Sequence, residues 1–255
     1  LPIYVAHDSA DVWANQELFT LDDNGTSTHV AGVPPDYFSP KGQRWGNPLY
    51  RWDRMRENDY AWWTRRMKRT LERVDLVRLD HFRGFEAYWE IPAEEETAVN
   101  GTWRDGPGAE IFEVLHDALG NLPVIAEDLG VITDEVRALR DEFSFPGMAV
   151  LQFAFENDPS NDFLPHNYRR NLVAYTGTHD NNTLRGWWQN EVAGTDRSYA
   201  QRYLNLDRCE GPVHDHCLRA LMASVADRVV TPMQDVLGLG AEARMRSEEH
   251  TSELQ

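Results

Sequence analysis

The 255 residues suffice for one large domain or two small ones, and 41% hydrophobic with 11% aromatic content is that of a globular chain rather than a disordered one. Forty-two acidic against 25 basic residues leave a net charge of −17, which repels nucleic acid and anionic membranes as partners. No apolar run approaches the roughly eighteen residues of a membrane span and no signal-peptide pattern is read, so a cytoplasmic protein is expected.

In chain order, "LPIYVAHDSADVW" reads at once as a strand (3–8) running into a loop, and the absence of a lead-in suggests an internal piece of a longer polypeptide. Residues 20–52, rich in Gly, Pro and aromatics, read as one long irregular loop, the length typical of lids and binding loops. Helical spacing of Trp62, Trp63, Met67 and Leu71 predicts a helix over 59–73. Residues 75–81, "DLVRLDH", form an apolar run that ends in ionisable side chains. A second helix is expected over 108–119, from Ile111, Phe112, Val114, Leu115 and Leu119. The run "PVIAEDLG" (123–130) follows, and then a helix over 134–142 behind a Thr133 cap. Further apolar runs lie at 148–155, 172–182 and 228–235. Cys209, His214, His216 and Cys217 in "CEGPVHDHC" match no standard zinc spacing; a helix beginning at Asp215 and reduced thiols are the simpler reading. The last ten residues, 246–255, carry no helical or strand pattern and are also what a common sequencing adapter yields when translated; they are taken as a non-native tail.

Near-continuous apolar strands alternating with helices indicate an α/β protein with a parallel sheet covered on both faces. In such folds the C-terminal strand ends carry the site. Six strands of this kind suit an incomplete (β/α)8 TIM barrel, with about six of eight strands in residues 1–245 and the 20–52 lid loop between the first two strands present. At the strand ends Arg78, Asp80 and His81 meet Glu127, Asp128, His179 and Asp180. Two chemistries suit this group: glycosidic cleavage by a carboxylate nucleophile and a carboxylic acid, or a metal centre. Arg78, two residues before Asp80 and on the same strand face, would hold Asp80 ionised. Glu127 has the better chance of a raised pKa. The aromatics Tyr37, Phe38, Trp45, Trp52, Phe153, Trp187 and Trp188 flank the group and favour a sugar, although core packing is the commoner use of any single Trp. A barrel lacking two strands would expose edges, so a weakly folding or inactive fragment is a further alternative.

The motifs "DSADVW", "AGVPPDYFSPKGQRWGNPLY", "VRLDHFRGFEAYWEIPA", "IAEDLGVIT", "PGMAVLQFAF", "FLPHNY" and "YTGTHDNNT" resemble those of the amylomaltases, bacterial 4-α-glucanotransferases related to the α-amylases. The likeness runs from Leu1 to about Met245. It implies transfer of α-1,4-glucan segments between malto-oligosaccharide donors and acceptors by a retaining double displacement, without metal or organic cofactor. It further implies that Asp80 is the nucleophile, Glu127 the general acid/base and Asp180 the third carboxylate, that Arg78, His81 and His179 contact the same sugar or hold the nucleophile, and that Asp36, Gln43 and Trp45 lie in the acceptor-side lid. Phe153 is placed with the substrate-binding residues. The family's N-terminal barrel units are expected to precede Leu1. An α-amylase-type hydrolase is the nearest rival.

Overall fold

The computed structural model describes residues 1–36 and 39–245, so Tyr37, Phe38 and the tail 246–255 lie outside the described residues. The chain divides into two compact units, Leu1–Phe145 and Pro146–Gln255. Among the described residues no helix is long and apolar enough to cross a membrane.

The first unit runs α1 (Ala10–Ala14), β1 (His29–Val33), β2 (Gln43–Pro48), α2 (Trp52–Glu57), α3 (Ala61–Leu71), β3 (Val77–Leu79), β4 (Ala87–Pro92), β5 (Thr102–Asp105), α4 (Ala109–Leu119), β6 (Val124–Ala126) and α5 (Asp134–Glu142). Strands β3 and β6 pair in parallel, with Val77 opposite Val124, Arg78 opposite Ile125 and Leu79 opposite Ala126. Alternation sends Val77, Leu79, Val124 and Ala126 into the core with Trp63, Met67, Ile111, Phe112 and Leu115 from α3 and α4. Arg78 is thereby turned to the opposite face. The periodic helices form where the apolar spacing predicted them, and α5 starts with the Thr133 side chain accepting from Val136 N.

Two expectations for this unit are corrected. Residues 3–8 form no strand; only a bridge between Pro2 and Asp80 remains. The backbone there is engaged by side chains instead: Tyr50 Oη and Arg66 Nη1 donate to the Ile3 carbonyl at 2.7 and 3.1 Å, and Asn47 Nδ2 donates to that of Val5 at 3.0 Å. The stretch 20–52 is not irregular throughout, because it contains β1 and β2. These join β4 and β5 in an antiparallel sheet of order β2-β1-β4-β5. The turn between β1 and β2 needs Gly42, whose φ is +65° and where a Cβ would fall 2.4 Å from the Val33 carbonyl oxygen.

The second unit runs β7 (Gly147–Val150), β8 (Leu172–Tyr175), α6 (Leu184–Asn190), α7 (Gly194–Tyr203), α8 (Val213–Met222), β9 (Arg228–Val230) and α9 (Met233–Val236). Its strands form a parallel sheet of order β7-β8-β9. Its core gathers Leu151, Phe155, Leu172, Ala174, Leu184, Trp187, Cys217 and Leu221. The strands end earlier than the apolar runs suggested, and the helix expected from Asp215 begins two residues sooner, at Val213.

Candidate active site

In the first unit the last paired residues of β3 and β6 are Leu79 and Ala126, so Asp80 and Glu127 are the next two positions across the same parallel pair. The Glu127 N–H still donates to the Leu79 carbonyl at 2.9 Å, and the Phe82 N–H to the Glu127 carbonyl at 3.0 Å. Register therefore puts both carboxylates on the face shared with Arg78. Nη1 of Arg78 donates to Oδ1 of Asp80 at 2.5 Å. His81 has φ +52°, a left-handed conformation uncommon for a non-glycine residue. Its N–H donates to Glu127 Oε2 at 2.6 Å, while the Leu129 N–H reaches Oε1 at 3.0 Å.

The surroundings of Glu127 set its electrostatics. Burial raises the Glu127 pKa; Arg78 opposes this, the charge of Asp80 adds to it, and the two N–H donors pull it back without cancelling the rise. For His81, burial lowers the pKa to about 4, with Arg83 acting in the same direction and Asp80 against it, so its ring is neutral at pH 7. The indole of Trp45 meets that ring edge-on at 4.7 Å between centroids and is 38% exposed, which leaves part of it open to solvent. Trp45 Nε1 donates to Gln43 Oε1 at 3.1 Å. Asp36 Oδ1 accepts the Ser39 N–H at 2.7 Å. The structure thus brings Arg78, Asp80, His81, Glu127, Trp45 and Gln43 together through direct contacts, with Asp36 between β1 and β2 in the sequence.

The other three candidates belong to the second unit. His179 and Asp180 lie in the connection between β8 and α6 and are about half exposed, with Nε2 of His179 3.4 Å from Oδ2 of Asp180. Asn181 Oδ1 accepts from both the N–H and the hydroxyl of Thr178, at 2.9 and 3.0 Å, and Arg244 donates to the Asp180 carbonyl at 2.7 Å. Phe153 stands on the turn after β7, edge-on to Phe163 at 5.8 Å.

Three flanking tryptophans serve packing. Trp52 sits among Tyr50, Trp63 and Phe85, Trp187 against Phe155, and Trp188 under the Arg197 guanidinium at 4.0 Å. Among the described residues no three His, Cys, Asp or Glu side chains gather as a metal-ligand set. In "CEGPVHDHC", Cys217 and His216 are buried in or beside the core and Cys209 accepts a hydrogen bond from Asn205 at 3.2 Å.

Two supporting residues escape a reading by motif. Arg140, almost wholly buried on α5, donates through Nη1 to Asp128. Asp235 on α9, also buried, accepts from Thr176 Oγ1 and Leu184 N, both at 2.6 Å, and so ties the two ends of the loop that carries His179 and Asp180. A signal for Arg140 existed. It shares a helical stripe with Val136 and Leu139, where an apolar residue is expected.

An α/β chain that sets an acid pair at the ends of neighbouring parallel strands, one carboxylate beside a guanidinium and the other half-buried, has the residue types that carboxylate-based sugar chemistry uses. Comparison makes this specific. The family model described as 4-alpha-glucanotransferase matches residues 1–247, and the chain belongs to that family. It is 56% identical over 248 residues to the 4-alpha-glucanotransferase of Synechocystis sp. and 54% identical over 251 residues to that of Thermus thermophilus, covering 96% of this chain and 49% and 50% of theirs. The amylomaltase of Streptococcus agalactiae, solved in complex with acarbose, superposes with a TM-score of 0.92 at 42% identity over 97% of this chain and 50% of that one. The chain thus spans about half the length of the curated relatives it matches.

Proposed function

We propose that the complete polypeptide is a 4-α-glucanotransferase acting on malto-oligosaccharides and α-1,4-glucans as both donor and acceptor. Asp80 attacks the anomeric carbon while Glu127 gives its proton to the departing sugar oxygen, breaking the glycosidic bond and leaving a β-glucosyl ester on Asp80. The free hydroxyl of an acceptor sugar then attacks the same carbon, Glu127 takes the hydroxyl proton, and the ester bond breaks with net retention. Arg78 orients Asp80 through their ion pair, and Asp180 with His179 binds sugar hydroxyls. Trp45, Gln43 and Asp36 form the acceptor-side wall, and Phe153 is a further substrate contact. The fold this reading implies for the complete polypeptide is a (β/α)8 barrel, with β1 and β2 carrying the lid and further barrel units supplied by the rest of the polypeptide.

The observation that supports this best is the register of β3 and β6. Neighbouring strands lie about 4.8 Å apart, which suits the roughly 5–5.5 Å between the two carboxyls of retaining enzymes, and burial raises the pKa of the member assigned as acid. The rise keeps Glu127 protonated to higher pH than a solvated glutamate, as its first task requires. A wall that stacks an acceptor and excludes water favours transfer over hydrolysis.

Incubation of the full-length enzyme with maltotriose is the test. A ladder of longer malto-oligosaccharides with free glucose is the expected outcome, whereas glucose and maltose alone would identify a hydrolase.

A further inference from the structure

Glu127 and Asp128 are consecutive at the end of β6 and point to opposite sides, Glu127 towards the Asp80 face and Asp128 towards α5. On that far side Nη1 of Arg140 donates to Oδ2 of Asp128, and its Nε donates to Asp141 Oδ1 at 2.8 Å. The Arg140 and Asp128 side chains are 3% and 6% exposed. Val136 and Leu139, on the same stripe of α5, enter the apolar core, so a guanidinium occupies a position where a leucine would pack. Desolvation of both ions offsets much of their attraction, and well-packed apolar side chains commonly do as well or better. Stability is therefore a poor reason for the pair.

Its position supplies a better one. The Leu129 N–H that bonds Glu127 Oε1 belongs to the peptide directly after Asp128. Any rotation of Asp128 moves a donor of the acid itself. The far end of the connection is secured separately: Nη1 of Arg83 donates to the Val131 carbonyl, and its guanidinium lies 4.1 Å over the Trp103 ring.

We propose that Arg140, acting through Asp128, is a positioning residue for Glu127, holding the peptide that orients the carboxyl towards the bond to be cleaved. The inference rests on the reading of Glu127 as general acid/base. It predicts a defect confined to steps in which Glu127 moves a proton onto a poor leaving group. Misplacement by about 1 Å costs on the order of 10²-fold.

The test compares two donors in the full-length enzyme: maltotriose, whose leaving sugar needs a proton, and α-maltotriosyl fluoride, whose leaving group departs without one. In Arg140→Lys and Asp128→Asn, kcat for maltotriose transfer should fall roughly 10- to 100-fold with KM little changed, while glucan-ester formation from the fluoride stays near the wild-type rate. Equal losses on both donors, or a loss on neither, overturn the proposal. Should the single variants fail to fold, the paired Arg140→Met, Asp128→Leu replacement restores an apolar interior and must show the same donor-selective defect; full maltotriose activity in it also overturns the proposal. Glu127→Gln serves as reference. If it transfers from maltotriose normally, the acid assignment falls and this inference with it. If it shows the selective loss while the Arg140 and Asp128 variants do not, the inference alone falls.

Discussion

The two units hold their acidic residues by different means. In the first, Asp80 and Glu127 directly follow paired strand residues, and their placement is inherited from backbone hydrogen bonds that continue one step past the sheet. In the second, Asp180 comes five residues after the end of β8, in a loop shaped by the Thr178–Asn181 turn and closed at both ends by Asp235. Sheet register is rigid and shared among many bonds; a loop depends on a few side chains, each of which matters alone. A buried charged residue, Arg140 in one case and Asp235 in the other, braces each connection from behind.

The largest expected effect tests the register-held half. Asp80→Asn should abolish covalent glucan trapping and lower transfer on the order of 10⁶-fold, as loss of a nucleophile does elsewhere, with the melting curve little altered. Trapping that persists in the variant would reassign the nucleophile.

Asp235→Ala attacks the loop-held half. It leaves a buried hydroxyl and the first N–H of α6 without their acceptor, and should destabilise by about 3 kcal/mol. Denaturant unfolding measures this, and a cost below about 1 kcal/mol would show the loop to be held by other means.

The smallest effect concerns pH. His81 is neutral in the fold, its pKa lowered by burial to about 4 from the ordinary 6.5, so its contribution to stability is complete above 6.5 and is lost as pH falls from there towards 4. Reduced for the ring's partial exposure, that loss is about 2 kcal/mol. Asn tolerates the left-handed backbone at this position, so His81→Asn should flatten stability across that window. Matching pH profiles for the two proteins would remove His81 as the source.

Legibility followed the range of the interaction. The α5 boundaries were readable because Thr133 caps the helix and the core stripe lies within nine residues. The parallel strands were readable from their apolar runs, although those runs continue past the last paired residue. The antiparallel sheet was not, because β1 finds its partner β4 some sixty residues away and the four residues of β5 are exposed and carry no apolar alternation. The candidate site split in the same way. Asp80, Glu127, Asp180 and their neighbours are visible as polar residues closing apolar runs, whereas Arg140 and Asp235 become notable only once burial is known.

Local order alone therefore determined which side chains are candidates for chemistry in this protein and which segments coil or extend, since spacing, caps and turn residues act within a few positions. Folding decided that Asp80 and Glu127 are neighbours, that burial raises the pKa of Glu127, and that Arg140 faces Asp128 inside the protein. Those properties arise from desolvation and from partners dozens of positions away, which no short stretch of residues encodes.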